Sequence, residues 1–206
     1  MTFLYPKAVI QVFCKAPIPG QVKTRLTPDL SADQAAQVHI ELTRRTLKLV
    51  TQSSLCPVQL LCSPKTSHPF FKKMEKSYAL SLLPQSSGDL GQRMYTSLIS
   101  GSRNYEHIIL LGCDCPSLTK DDLVNALNAL ATNYDVVLAP AEDGGYCLIG
   151  MNKPQADLFN NIDWGSNKVL DKTRKIILEL KSNCLELNTQ WDVDNYSDYL
   201  RYLDLF

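Results

Sequence analysis

The sequence predicts an α/β fold: a three-layer α/β/α arrangement around a mostly parallel sheet. Three observations predict it. Short apolar runs, many of them β-branched, alternate along the chain with helix-length amphipathic segments, which is the pattern of βαβ units. The runs are apolar throughout rather than alternating, as in strands covered on both faces. The chain has 206 residues, 45% hydrophobic and 20% charged, enough to bury a core without covalent staples. Residues 1–206 are therefore read as one domain.

Each element has its own signal. Ala8 to Cys14 (AVIQVFC) reads as the first buried strand. A Pro- and Lys-rich loop, Lys15 to Leu30, follows it. Ser31 with Gln34 three residues on is a capping-box pattern, opening a helix expected to run to about Ser53. Pro57 to Cys62 is a second strand, residues near Ser67 to Lys76 a weakly signalled helix, and Ala79 to Leu83 a third strand. A helix is expected from Asp89, after Gly88, to about Ser102. His107 to Cys113 (HIILLGC) is the clearest buried strand. Thr119, with Asp122 three residues later, caps the next helix. Strands are expected at Tyr134 to Ala139, Gly145 to Gly150 and Cys184 to Leu187. Helices are expected at Val169 to Lys181 and Ser197 to Phe206.

Composition excludes several classes of function. Lys and Arg together number 21, as do Asp and Glu, so no broad field suits nucleic acid or a membrane surface. No apolar run approaches a membrane span. The first residues lack a signal-peptide pattern, which points to the cytoplasm. Seven cysteines, without a C-x-x-C pair, read as reduced, buried small hydrophobes. Cys113 and Cys115 flank Asp114, so a soft-metal or redox site is conceivable there. His39, His68 and His107 are scattered, and no nucleophilic triad is proposed from them.

In open α/β sheets, ligands bind beyond the carboxyl ends of the strands. Residues just after strands are therefore the candidate site. The first loop carries Lys15, Lys23 and Arg25 within eleven residues, stiffened by Pro17 and Pro19, with Gly20 allowing close backbone approach. That composition suits a di- or triphosphate: Arg supplies forked hydrogen bonds, Lys point charge. It is neither a Walker A loop nor a Rossmann fingerprint. Asp114, after the strongest strand, can hold Mg²⁺ or Mn²⁺ against phosphate oxygens; otherwise it is a turn residue.

Glu142 and Asp143 precede Gly144 and Gly145 at a strand junction. Either acid could bind an acceptor hydroxyl or serve as base, with Asp143 taken as the catalytic one, and the glycines could let a substrate lie on the backbone. A solvated Gly-Gly turn is the rival reading. In Trp191-Asp192-Val193-Asp194-Asn195, strand alternation would put both aspartates on one face as metal ligands, or the segment caps the last helix. Gly88 and Arg93 could contact the nucleotide, or the glycine could merely shape a helix entry. Trp164 could cover the acceptor site or belong to the core.

Together these segments resemble the nucleotide-diphospho-sugar transferase, or glycosyltransferase-A, superfamily. The carrying residues are Phe13 to Pro17 with Gly20 to Leu26, Gly88 to Met94, Gly112 to Leu118, Asp143 to Tyr146, and Asp192 to Asp194. Within the superfamily they are most similar to the bacterial radical-SAM/selenodomain-associated, arsenosugar-biosynthesis-type transferases. Val22 to Leu26 is also similar to the phosphate loop of phospholactate guanylyltransferases. The resemblance implies a mostly parallel, mixed sheet of GT-A type, a nucleotide or nucleotide-sugar donor on the first loop, and a small-molecule acceptor. It further implies a Mg²⁺ or Mn²⁺ site at Asp114, with a second ligand that maps to Asp194. Here Asp114 is followed by Cys115-Pro116 rather than completing an Asp-x-Asp, and the first loop replaces the Gly-rich loop of cytidylyltransferases. Glycosyl transfer is the first expectation. Nucleotidyl transfer to a phosphorylated small molecule, or nucleotide sensing without turnover, are the alternatives.

Overall fold

The computed structural model describes residues 2–52 and 54–205. The expected last residues of the first and final helices, Ser53 and Phe206, lie outside these. Among the described residues, seven strands form one sheet: β1 (Ala8–Lys15), β2 (Val58–Ser63), β3 (Ser81–Pro84), β4 (His107–Leu111), β5 (Val136–Pro140), β6 (Tyr146–Met151) and β7 (Cys184–Glu186). Six α-helices accompany them: α1 (Ala32–Gln52), α2 (Pro69–Ser77), α3 (Leu90–Ser102), α4 (Lys120–Leu130), α5 (Val169–Glu179) and α6 (Tyr196–Leu203).

The strand order is β3-β2-β1-β4-β6-β5-β7. Every neighbouring pair is parallel except those made by β6, which runs antiparallel to both β4 and β5. The link between β5 and β6 spans only Ala141 to Gly145, too short for a parallel crossover, so the chain turns straight back. The expected three-layer, mixed sheet is the observed one.

Alternation along each strand divides the core. Ile10, Val12, Leu60, Ile109 and Val137 face α1, α2 and α4. Val9, Ile108, Leu110, Leu138 and Ile149 face α3 and α5. Helix starts follow their caps. Ser31 and Gln34 exchange hydrogen bonds of 3.2 and 2.8 Å, and Thr119 with Asp122 makes the same reciprocal box. A third apolar cluster, with Leu26, Val38, Leu42, Trp191 and Val193, pins the first loop to the segment before α6. Two segments 170 residues apart thus meet above the ends of β1 and β4.

Most element boundaries shift from expectation by one to three residues, and two of the differences bear on the site. β4 ends at Leu111, not Cys113: Gly112 still donates to the Cys147 carbonyl at 3.2 Å, and the chain bends away at Cys113. The segment Trp191 to Asp194 belongs to no strand, and its neighbour Asn195 caps α6, as the rival reading of this stretch has it, with Asp198 closing the box.

Candidate active site

A cavity of about 460 Å³ opens at the carboxyl ends of β1 and β4. Its volume falls within the range of small-molecule sites. The basic first loop supplies one side. Lys23 adopts a left-handed backbone (φ 48°), which folds the loop inward before the short 3-10 turn Thr24–Leu26. Its ammonium is not free for phosphate. Nζ donates to Asp114 Oδ2 at 3.0 Å and to the Val193 carbonyl at 2.7 Å, and lies 3.6 Å from Asp194 Oδ1. The Lys23 side chain is only 6% exposed, whereas Asp114 and Asp194 keep 36% and 33%. Burial disfavours the charged ammonium, but the two carboxylates outweigh it and hold its pKa above the ordinary value. Burial likewise works against the Asp114 carboxylate, yet the Lys23 charge and hydrogen bond bring it below the usual range.

Arg25 is largely exposed and donates from Nη1 to Asp194 Oδ2 at 2.7 Å, leaving its other donors open. Lys15 and Arg93 also line the cavity. Arg93 donates to Gln85 Oε1 at 2.9 Å, and the Gln85 amide in turn holds the Leu61 carbonyl at 2.8 Å. The basic residues expected at the nucleotide therefore do converge on one cavity.

The acids gather beside them. Carboxylate oxygens of Asp143, Asp192 and Asp194 lie within 4.8 Å of one another. Asp192 is pushed up to about 7, first by burial, then by the charges of Asp114, Asp194 and Asp143. Such an excess of negative charge fits a divalent cation held by oxygen ligands. Asp194 is common to this trio and to the expected pair, while Asp114 stands just outside it, tied to Lys23.

Several expected contacts fall elsewhere. Pro17 is half-buried and Gly20 exposed, and neither lines the cavity; Gly20 serves a turn with φ 76°, and nothing approaches its Cα closely. Gly88 (φ 108°) shapes the entry to α3, where a Cβ would strike the capping Gln92. Glu142 is held by Arg201 of α6 in a forked pair at 2.8 and 3.1 Å, away from the cavity. Gly144 is not open to substrate: a Cβ there would sit 2.2 Å from the Asn167 carbonyl oxygen, at the entry to α5. Gly145 donates its N–H to Asp143 Oδ1 at 2.8 Å, which fixes that carboxylate. Trp164 packs over Gly91 of α3, stacked on Phe159 and edge-on to Tyr146, outside the cavity lining.

Among the lining residues not assigned a role from sequence are His39, Gln85 and Tyr146. His39 sits on the buried stripe of α1 with Ala35, Leu42 and Thr43, a spacing visible in the sequence. Gln85 gave no such signal, and Tyr146 entered only as the end of the Asp143 to Tyr146 motif. The Tyr146 hydroxyl is buried, and burial raises its pKa. Cys113, beneath the acids, is held down at about 6, chiefly by a hydrogen bond from Cys14.

A family profile described as "Uncharacterized protein conserved in bacteria (DUF2064)" matches residues 46–166, more than half of the chain. The chain belongs to the DUF2064 family. No curated protein matches its sequence. Among solved structures it is similar to a Desulfovibrio desulfuricans G20 protein provisionally titled a nucleotide-diphospho-sugar transferase: 29% identity over 92% of this chain and 83% of the other, TM-score 0.82. A cytidylyltransferase from Leptospira borgpetersenii serovar Hardjo-bovis shares the fold at 16% identity, covering 98% and 88%, TM-score 0.56. So does the Rv0371c manganese complex from Mycobacterium tuberculosis H37Rv, at 14% identity, covering 96% and 99%, TM-score 0.57. The DUF2064 chain thus has the fold of nucleotide-diphospho-sugar transferases and cytidylyltransferases, and the superfamily resemblance read from its motifs is borne out, with an enzyme of transferase type. Among the described residues no helix is long and apolar enough to cross a membrane.

Proposed function

We propose that this DUF2064 protein transfers a group from a nucleotide-activated donor, with an NDP-sugar as donor and a small hydroxylated molecule as acceptor. One observation carries the reading: the cations of the first loop and the acids after β4 and before α6 meet at a single cavity of nucleotide size. The 29% identity to a chain provisionally titled a nucleotide-diphospho-sugar transferase favours glycosyl over nucleotidyl transfer.

Asp192 and Asp194 would hold Mg²⁺ or Mn²⁺, with Asp143 beside them and Asp114 tied in through Lys23. When bound, the cation supplies charge neutralisation to the leaving diphosphate. The chain's own residues do the rest. Lys15 and the open donors of Arg25 take the phosphate oxygens. Lys23 acts from behind, fixing Asp114, Asp194 and the Val193 carbonyl so that the carboxylates need not reorganise as charge develops. Asp143, the exposed member of the acid trio, is oriented by the Gly145 N–H and accepts the proton of the attacking hydroxyl. The apolar wall of Phe13, Leu110 and Ile149 limits water beside the reacting bond.

The test is a thermal-shift panel of NTPs and NDP-sugars with Mn²⁺, followed by product analysis on whatever stabilises the protein. Release of nucleoside diphosphate supports glycosyl transfer. Pyrophosphate release points instead to nucleotidyl transfer, and binding without either product, over a broad acceptor set, to a sensor.

A further inference from the structure

The transfer chemistry leaves unused a group of soft ligands under the floor of the cavity. Cys14 lies near the end of β1, Cys113 follows β4, and His39 points from the middle of α1. Their exposures are 2%, 5% and 5%, and their ligand atoms all lie within 4.8 Å of one another. As sequence, these cysteines read as small core hydrophobes. Their placement beside an imidazole goes further.

The spacing is that of a coordination sphere. Cys14 Sγ lies 3.8 Å from His39 Nε2. Zinc bonds of about 2.3 Å to sulfur and about 2.05 Å to nitrogen at a tetrahedral angle put those atoms about 3.6 Å apart. The three residues come from three elements that the core holds in place, with Cys14 and Cys113 in one packed cluster. All three also line the cavity, so a fourth position faces solvent or a bound ligand rather than protein.

We propose that Cys14, Cys113 and His39 form a zinc site of the open Cys₂His type, separate from the carboxylate site above it. Two thiolates and an imidazole select a borderline-soft cation, whereas the aspartates suit Mg²⁺ or Mn²⁺. One cavity thus serves two cations sorted by ligand chemistry. Binding converts both thiols to thiolates and releases their two protons to solvent, with no change of oxidation state. Thr43 Oγ1, 3.6 Å from Cys14 Sγ, is placed to donate to that thiolate. His39 Nε2 now lies 2.9 Å from the Lys15 carbonyl, and it turns from that oxygen to the metal. Zinc binding therefore reaches the backbone of the first loop. The site does not depend on the proposed transfer reaction.

The experiment titrates Co²⁺ into the full chain, reduced and freed of metal by chelation. Expected is saturation at one equivalent with a near-ultraviolet thiolate-to-cobalt charge-transfer band, bleached by stoichiometric Zn²⁺ and untouched by excess Mg²⁺. Asp194→Asn should leave the band intact. Cys113→Ser should abolish it, and His39→Ala should weaken Co²⁺ binding at least tenfold. X-ray absorption of the zinc-loaded wild type should count two sulfurs and at least one nitrogen, which tests the ligand set even where a variant folds poorly. The absence of a charge-transfer band in the wild type would overturn the proposal. So would a band that persists in Cys113→Ser, undiminished binding in His39→Ala, or a sulfur-free zinc shell.

Discussion

Replacing Lys23 by methionine keeps the stem and removes the charge. The buried ammonium joins Asp114, Asp194 and the Val193 carbonyl, so its loss strands Asp114 and the carbonyl and leaves Asp194 to Arg25 alone. Breaking a fully buried pair from one side costs about 3–5 kcal/mol. Here both carboxylates are about one-third exposed, so water recovers part of the loss, and about 2–3 kcal/mol is expected. For a chain of this size that lowers Tm by roughly 5–10 °C. Urea denaturation at pH 7 reads it. A double cycle with Asp114→Asn should show strong coupling, because each substitution removes the same contact. The pH dependence has a definite sign. Asp114 lies below its ordinary pKa, so its contribution is present above the unfolded carboxylate value and fades as pH falls through the lower folded value. The gap between wild type and Lys23→Met should therefore close in acid. Mn²⁺ should stabilise Lys23→Met more than wild type, since the cation then has an unneutralised acid cluster to fill. A loss below about 1 kcal/mol, or additivity with Asp114→Asn, would refute the reasoning.

Other substitutions test the packing and the charge. Gly144→Ala meets the Asn167 backbone at φ 87° and should destabilise by roughly 2–3 kcal/mol in chemical denaturation. Gly91→Ala drives a methyl into Trp164, 2.4 Å from Nε1, and should displace the indole, seen as a red shift in tryptophan emission. Asp192 is raised to about 7, so the folded state keeps a proton that the unfolded chain loses near pH 4. That group favours folding below its unfolded pKa, and the advantage disappears as pH climbs through 7. Mn²⁺ must expel the same proton. Affinity measured by calorimetry should rise by up to about tenfold per pH unit below 7 and level off above it, with the slope flattened in Asp192→Asn.

Strands buried on both faces could be read directly, since Ala8 to Cys14 and His107 to Leu111 carry their burial in composition alone. Capped helices could be read because Ser31/Gln34 and Thr119/Asp122 act over three residues. Direction was harder. The reversal of β6 is implied by the five-residue link before it, but the apolar pattern of Tyr146 to Met151 is the same in either sense. The site was legible as charge and not as pairing. Lys23 and Asp114 stand 91 residues apart, and only the packing of Leu26 against Val193 makes them partners rather than separate ligands. Gly144 misled for the same reason: it accommodates Asn167, a contact that no local spacing announces. His39 was passed over because its relation to Cys14 and Cys113 exists only once α1 lies across the ends of β1 and β4.

The central claim is that loop cations and clustered acids act on one diphosphate. Calorimetric titration of a nucleoside diphosphate, with and without Mn²⁺, into wild type, Arg25→Ala and an Asp192→Asn/Asp194→Asn variant tests it most directly. The account predicts that Mn²⁺ tightens binding to wild type at least tenfold, that the gain vanishes without the two aspartates, and that Arg25→Ala weakens the diphosphate more than the monophosphate. Equal affinity with and without Mn²⁺, or a gain that survives loss of both aspartates, contradicts it.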